Sequence, residues 1–299
     1  MKKRIIALVL ILSIVLAVAG CSRSAGNSKL TVTFIDVGQG DAALVECGGD
    51  SMLIDTGPNN KTTGEKIRKL LLDKGIYTLK YLVISHLHDD HYGGLLNNAL
   101  QNVEIKATLC NEDPYRKSNV ASHLDRSRLI IPKAGEEFSL GSATIRVVDV
   151  NSNQANDSLV LLINYENTNF LFTGDIEKEA HSRVAEKLRE LSNELEGKEN
   201  LIKMPHHGAY NSDQYLPNDA YDNSLGTLVS ASYAEYFVIS VGKNNSYNHP
   251  HRETIDLIDQ VLRVHNLDKA AHFFRTDENG DIVATSDGKS ITVIPAKQP

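Results

Sequence analysis

Ser85-His86-Leu87-His88-Asp89-Asp90-His91-Tyr92-Gly93-Gly94 follows directly on the apolar run Tyr81-Leu82-Val83-Ile84. Three imidazoles and two carboxylates fall within the six residues from His86 to His91, at the end of what reads as a buried strand. Imidazole nitrogen and carboxylate oxygen are ligands for Zn²⁺ and neighbouring first-row metals, and a buried strand is a rigid mount for them. A polar loop can collect histidine and aspartate by chance, but this spacing is that of a metal motif. His86 and His88, two apart on extended or turn backbone, can face one cation, while Asp90 and His91 can face a second. Paired metals about 3.5–4 Å apart lower the pKa of a bridging water and stabilise attacking and leaving oxygens. The segment therefore reads as part of a two-metal hydrolase centre. Asp89 is expected to face solvent or start a helix, and Gly93-Gly94 to open that helix.

On either side, short β-rich runs alternate with amphipathic helices. Leu30 to Asp36, Ala42 to Glu46 and Met52 to Ile54 read as strands separated by Gly/Asp turns. Ile67, Leu70 and Leu71 lie at helical spacing in a segment that stops at Gly75. β-like segments follow at Val103 to Cys110, Ala143 to Val150, Ser158 to Tyr165 and Asn169 to Phe172. Next comes one long helix carrying Ile176, Ala180, Val184, Leu188, Leu191 and Leu195 on a single stripe. Strands are then expected at Leu201 to Met204 and Tyr236 to Val241, then a helix with Ile255, Ile258 and Leu262, and β-rich segments to Ile294. No linker, repeat or low-complexity stretch interrupts this, so residues 30–299 read as one α/β domain with helices flanking stacked sheets.

Met1-Lys2-Lys3-Arg4, an apolar run from Ile5 to Ala19 broken only by Ser13, and Val18-Ala19-Gly20-Cys21 have the form of an export signal. The run is shorter than the 18 or more residues expected of a spanning helix. The small residues before Cys21 resemble a bacterial lipoprotein signal over residues 1–20, implying lipidation of Cys21; an uncleaved anchor is the alternative. Residues 21–29 are small and polar and read as a flexible tether to the extracytoplasmic face of a membrane. Cys47 and Cys110 then remain, either paired in an oxidising compartment or as two separate buried thiols. A net charge of −7 over 299 residues excludes a global nucleic-acid footprint, though not a local basic groove.

The H-x-H-x-D-H pattern, preceded by Leu53-Ile54-Asp55-Thr56-Gly57 and followed by Thr173-Gly174-Asp175-Ile176-Glu177, resembles the metallo-β-lactamase superfamily. That resemblance implies a four-layer αββα sandwich. Within the superfamily the chain looks most like the extracellular domain of the ComEC competence proteins. It does so through Phe34-Ile35-Asp36-Val37-Gly38-Gln39-Gly40-Asp41-Ala42, Asn156-Asp157-Ser158-Leu159-Val160, Met204-Pro205-His206-His207-Gly208, Asn245-Ser246-Tyr247-Asn248-His249-Pro250 and Arg275-Thr276-Asp277, in order. The likeness runs from Leu30 to about Val293 and lacks the multi-spanning channel portion, as in a free-standing nuclease-like domain held by a lipid.

The resemblance implies roles position by position. Asp175 would bridge the two metals, and His207 would be a ligand with His206 beside it as a substrate or supporting group. Asp55 would orient a ligand histidine. His249 would protonate the leaving oxygen or hold a phosphate. Asp90 is counted both as ligand and as catalytic group. Asn156, Ser158, Gln39, Asp41 and Asn245 would line or support the same mouth. One histidine usual in the superfamily is missing: between His91 and Asp175 only His123 occurs, in a context that suits a core or surface role. The first metal position is therefore expected to be weak, completed by oxygen, or suited to Mn²⁺ rather than Zn²⁺. Ala209 and Asn248 also stand where the ComEC-like pattern has Ser and Gly.

The resulting expectation is an exported, lipid-anchored hydrolase with two divalent ions, Zn or Mn, acting on a phosphodiester such as DNA or a nucleotide. Two rivals are a hydrolase of C–O or C–N bonds, such as a lactonase, thioesterase or lactam-opening enzyme, and a DNA- or envelope-binding module with a vestigial metal site.

Overall fold

The computed structural model describes residues 29–116, 119–150, 158–210 and 223–297. The signal segment, Cys21, most of the tether and Asn156 lie outside the described residues. The first half of the chain forms β1 (Leu30–Phe34), β2 (Ala43–Cys47), β3 (Asp50–Ile54), α1 (Lys61–Asp73), β4 (Thr78–Ile84), α2 (Asp89–Leu96), β5 (Glu104–Cys110) and β6 (Leu129–Ile130). The second half begins with β7 (Glu137–Leu140), β8 (Ala143–Asp149), β9 (Val160–Tyr165), β10 (Thr168–Phe172), α3 (Lys178–Glu190), α4 (Ser192–Leu195) and β11 (Glu199–Lys203). It ends with α5 (Ser224–Ser232), β12 (Tyr236–Ile239), α6 (Arg252–Val264), α7 (Lys269–His272), β13 (Phe273–Arg275), α8 (Thr276–Asn279), β14 (Ile282–Ser286) and β15 (Ile291–Pro295).

The strands form two sheets, ordered β15-β14-β1-β2-β3-β4-β5-β6 and β13-β12-β11-β10-β9-β8-β7. Side chains alternate across a strand, and the apolar residues follow that period on both faces. Leu161, Ile163, Phe170 and Phe172 meet Leu30, Val32, Phe34 and Val45 between the sheets. Phe34 stacks on Phe172 with ring centroids 5.7 Å apart. The outward residues Val160, Leu162, Leu171 and Ile202 pack under Ala180, Val184 and Leu188 of α3 and Ile258 and Leu262 of α6. On the other outer face Leu44, Leu53, Leu82 and Ile84 pack under Ile67 and Leu71 of α1 and Leu95 of α2. The result is the expected αββα arrangement, in which each fully buried large apolar side chain contributes about 1.5–3 kcal/mol of transfer free energy.

Three local expectations change. Gly93 and Gly94 lie inside α2 rather than at its start. A Cβ at Gly94 would stand 2.1 Å from the Thr56 carbonyl oxygen and one at Gly93 2.2 Å from the Asn59 nitrogen, so the pair lets the helix press against the loop after β3. The helix begins at Asp89, where the acidic side chains of Asp89 and Asp90 favour its N-terminus. The single stripe over 176–195 is broken at Leu191, which caps α3 and leads into α4, and the Asp175–Glu177 stretch precedes the helix. Cys47 and Cys110 are separate buried thiols. They sit on β2 and β5, three strand spacings apart in one sheet, about 14 Å, beyond disulfide reach. Burial pushes the Cys110 thiol up to about 12.

In both sheets the strands before the histidine and aspartate motifs run parallel. This holds for β3, β4 and β5 in one and β10, β11 and β12 in the other. Asp55, His86, Asp175, His207 and Ser240 follow the carboxyl ends of β3, β4, β10, β11 and β12. The loops after parallel strands are where an open α/β sheet places its ligand groups, and here two sheets bring theirs to one edge.

Candidate metal centre

The loops are tied together by main-chain bonds before any side chain contributes. Asp41 N–H donates to the Asp90 carbonyl at 3.1 Å, Gly57 N–H to the Asp41 carbonyl at 2.7 Å, and Thr56 N–H to the His91 carbonyl at 2.5 Å. Asp55, itself at φ 57°, accepts from the Ser85 N–H (2.8 Å) and Ser85 hydroxyl (2.6 Å) and meets His91 Nδ1 at 2.8 Å. His91 is thereby aimed, with Nε2 3.1 Å from Asp175 Oδ2. His207 is held by its Nδ1 against the Ser240 carbonyl (2.9 Å), and its Nε2 lies 3.2 Å from Asp90 Oδ2 and 3.5 Å from Asp175 Oδ2. His206 and His207 both adopt left-handed backbone, φ 46° and 53°. Non-glycine residues occupy that region at a cost of about 1–3 kcal/mol each, and such strain gathers at functional sites.

One donor atom from each of Asp90, His91, Asp175 and His207 lies within 4.8 Å of the others. Among the buried atoms of the site, His86 Nε2, His91 Nε2 and Asp175 Oδ1 make no aligned hydrogen bond, His91 Nε2 meeting Asp175 Oδ2 only as an ion-pair contact at 3.1 Å. Buried polar atoms are rarely left unmatched, and mixed imidazole and carboxylate donors suit a divalent first-row ion. The residues therefore fit a metal. His86 stands one step aside, its ring 4.1 Å from that of His91 and 4.5 Å from that of His88, which is exposed. Neither His86 nor His88 contributes to the four-residue cluster. A further group, Asp41, Asp55 and His91, is also close enough to hold an ion, but Asp41 is ion-paired with Lys203 and Asp55 is engaged by Ser85 and His91 Nδ1.

The electrostatics describe a site poised for a cation. Burial opposes ionisation of Asp175, yet His91 and His207 outweigh it and hold the carboxyl well below its usual range. Burial likewise disfavours the charged imidazoles, but Asp175 and Asp55 raise His91 well above 6.5. Asp175, Asp41 and Asp90 together lift His207 to about 9 against the same burial. Without metal, His207 contributes stability that is fully present below its unfolded value near 6.5 and lost as pH rises through about 9. A metal must displace that proton. Divalent-metal affinity is therefore expected to rise from pH 6.5 to 9, with protons released on binding, measurable by titration calorimetry in buffers of different ionisation enthalpy. Flat affinity across that window would remove His207 from the ligand set.

The remaining residues take distinct places around the site. Ser158 does not line a mouth: it is buried, its hydroxyl accepts from the Asp175 N–H (2.9 Å) and touches His86 Nδ1 at 3.3 Å, joining the two halves of the site from beneath. Asp41 is buried against Lys203 and His207 and is not open to substrate. Gln39 accepts from the Gly242 N–H at 3.1 Å and pins the loop after β12. Asn245 braces that loop from inside, bonding the Gly242 and His249 carbonyls and the Tyr247 and His249 amides. His206 lies at the rim, Nδ1 3.1 Å from Glu177 and Nε2 3.8 Å from Asp175. His249 packs beside it, ring centroids 5.4 Å apart. Burial and then His206 push His249 down to about 4, so its imidazole is neutral at pH 7. His123 is exposed and takes no part.

Sequence reading missed Lys203. It is buried at the end of β11, ion-paired with Asp41, 3.9 Å from Asp175 Oδ1 and donating to the Gly174 carbonyl at 3.2 Å. The available signal was a lysine set among Leu201, Ile202 and Met204 directly before Pro205-His206-His207.

The fold has counterparts among known proteins. ComE operon protein 3 of Bacillus subtilis (strain 168) is 26% identical over 280 residues, covering 86% of this chain but 33% of that protein. A lactamase-like protein, nscB, of Trichophyton verrucosum is 28% identical over 187 residues, 58% of this chain and 60% of that one. The chain thus spans one to two thirds of these relatives' lengths. Among solved structures, the metallo-beta-lactamase fold protein YhfI of Bacillus subtilis superposes with a TM-score of 0.53 at 13% identity, over 87% of this chain and all of that one. The diiron β-hydroxylase CmlA of Streptomyces venezuelae does so with 0.52 at 13%, over 83% of this chain and 53% of that one. The family model described as the metallo-beta-lactamase superfamily matches residues 35–215, and with both sheets and the ligand loops in place the chain belongs to that superfamily.

Proposed function

We propose that this chain is an exported, lipid-anchored phosphodiesterase that uses two divalent ions, Zn or Mn, to cleave nucleic acid. The observation that carries the metal-dependent part is the convergence of Asp90, His91, Asp175 and His207 within 4.8 Å, with unmatched buried donor atoms facing inward. The phosphodiester part is supported by the ordered ComEC-like motifs and the similarity to ComE operon protein 3. Ions held there would supply Lewis acidity and an acidified water near neutral pH. Asp175 would join the two positions, and His86 and His88 would complete the outer one. His206 and His249 at the rim would contact the phosphoryl oxygens or the departing alkoxide. For His249 to donate a proton, a bound anionic substrate must first raise it from about 4.

The test is a substrate panel. With added Mn²⁺ or Zn²⁺, bis-p-nitrophenyl phosphate and single-stranded DNA are expected to be cleaved, while esters, lactones and lactams are not. Turnover confined to a carbonyl substrate would reverse the reading, and no turnover with less than one metal per chain would favour a binding module. In cells, Cys21→Ala is expected to release the protein from the membrane fraction; unchanged fractionation and mobility would refute the lipid anchor.

A further inference from the structure

Tyr247 is a large aromatic side chain left 62% exposed, and it stands beside the metal centre rather than on a remote surface. Its ring stacks on His249 at 5.7 Å with planes 26° apart. The His249 ring in turn lies 6.4 Å from that of His207, the residue touching Asp90 and Asp175. An aromatic line thus runs from the candidate metal ligands to solvent. The turn that presents it is rigid, since Asn245 bonds four main-chain groups between Gly242 and His249. A ring held this way loses little conformational freedom on binding.

A polar cleft of about 570 Å³ opens along the same loop, lined by Lys243, Asn248, His249, Arg275 and Asp277 among others. Arg275 is committed to Asp277 through two contacts of 3.1 and 2.7 Å and to Glu278 at 3.0 Å. Lys243 is exposed and makes no ion pair among the described residues. The cleft therefore offers one available cation and amide groups, with Asp277 and Glu278 engaged by Arg275, and the exposed Tyr247 ring stands next to it on His249. That combination fits a nucleotide unit, with its base on a ring and its phosphate near a single positive charge. It does not fit a duplex, whose bases are already stacked on one another and leave no free face for the ring.

Resting on the phosphodiesterase reading, we propose that Tyr247 and the Lys243 cleft form a nucleotide subsite. Tyr247 would stack the base next to the scissile phosphodiester and Lys243 would contact the adjoining phosphate, so that the substrate class is single-stranded nucleic acid. Base stacking is indifferent to the sugar, so DNA and RNA strands are both accepted.

The experiment measures binding apart from cleavage. The full chain, with the metal it retains on purification, is titrated by fluorescence anisotropy with a single strand of about 12 nucleotides, as DNA and as RNA. The same DNA with abasic positions and as a duplex serves for comparison, and strand integrity is checked on gels. Tyr247→Ala is expected to weaken binding of the base-containing strands by about 5- to 100-fold and to leave abasic binding within about twofold of wild type, while Tyr247→Phe retains wild-type affinity. Lys243→Gln is expected to weaken both kinds of strand and to lower the slope of log affinity against log salt by about 0.7. The proposal is overturned if the wild type binds duplex as tightly as single strand, or does not bind single strand. It is also overturned if Tyr247→Ala affects abasic and normal strands alike. Tyr247-dependent binding without cleavage of any phosphodiester would sink the hydrolase reading and leave the subsite standing. Cleavage indifferent to Tyr247 would do the reverse.

Discussion

Replacing Asp175 by asparagine is expected to strip the protein of metal and to lower kcat/KM on a phosphodiester by about 10³-fold or more, the loss of several kcal/mol of charge stabilisation. Asparagine has nearly the same shape, so the effect isolates the charge. Asp175 Oδ2 lies 3.1 Å from His91, 3.5 Å from His207 and 3.8 Å from His206, and its charge does most to raise both His91 and His207. Without it those imidazoles return toward ordinary values. The metal-free variant should then lose the stability contribution that the wild type shows below about 6.5 and sheds as pH rises through about 9. Elemental analysis reads the first effect and melting against pH the second. A variant with wild-type metal content, or with the wild-type pH dependence intact, would remove Asp175 from the centre of the site.

How far the sequence disclosed this arrangement depended on the range of the forces involved. The sheets were legible because β9 and β10 carry apolar side chains on both faces and β1 alternates, patterns set by burial within a few residues. The ligand loop was legible because its donors are contiguous. Three things were not. The placement of Gly93 and Gly94 inside α2 follows from contact with Thr56 and Asn59, more than thirty residues earlier in the chain. The left-handed backbone at His206 and His207 has no local marker, since neither is glycine or asparagine. The inward turn of Asp41 and Ser158, away from a substrate mouth, reflects partners at positions 203, 207, 86 and 175 that only the folded sheets bring near.

Lys203 is a fourth such case, the sharpest, and the source of the other large effect. Lys203→Met is expected to destabilise the metal-free protein by about 3–5 kcal/mol, because removing one partner of a buried pair strands the other. For a domain of this size that is a melting temperature lower by about 6–20 °C. Burial opposes the charge on Lys203, but Asp41 and then Asp175 raise its pKa above 10.5, so the ammonium remains charged at neutral pH. It confronts Asp41 at the base of a site that also holds Asp55, Asp90 and Asp175. Asp41→Asn in the same background removes the stranded charge, and the double variant is expected to recover about 2–3 kcal/mol relative to the sum of the single losses. Additive losses would mean that the lysine is held by packing of its stem and not by the pair. Metal distinguishes the two accounts further. Methionine in place of lysine leaves one more uncompensated negative charge beside the ligands, which favours a divalent cation. The variant should therefore be stabilised more by added Mn²⁺ or Zn²⁺ than the wild type is. A loss of packing alone would lower the melting temperature equally with and without metal.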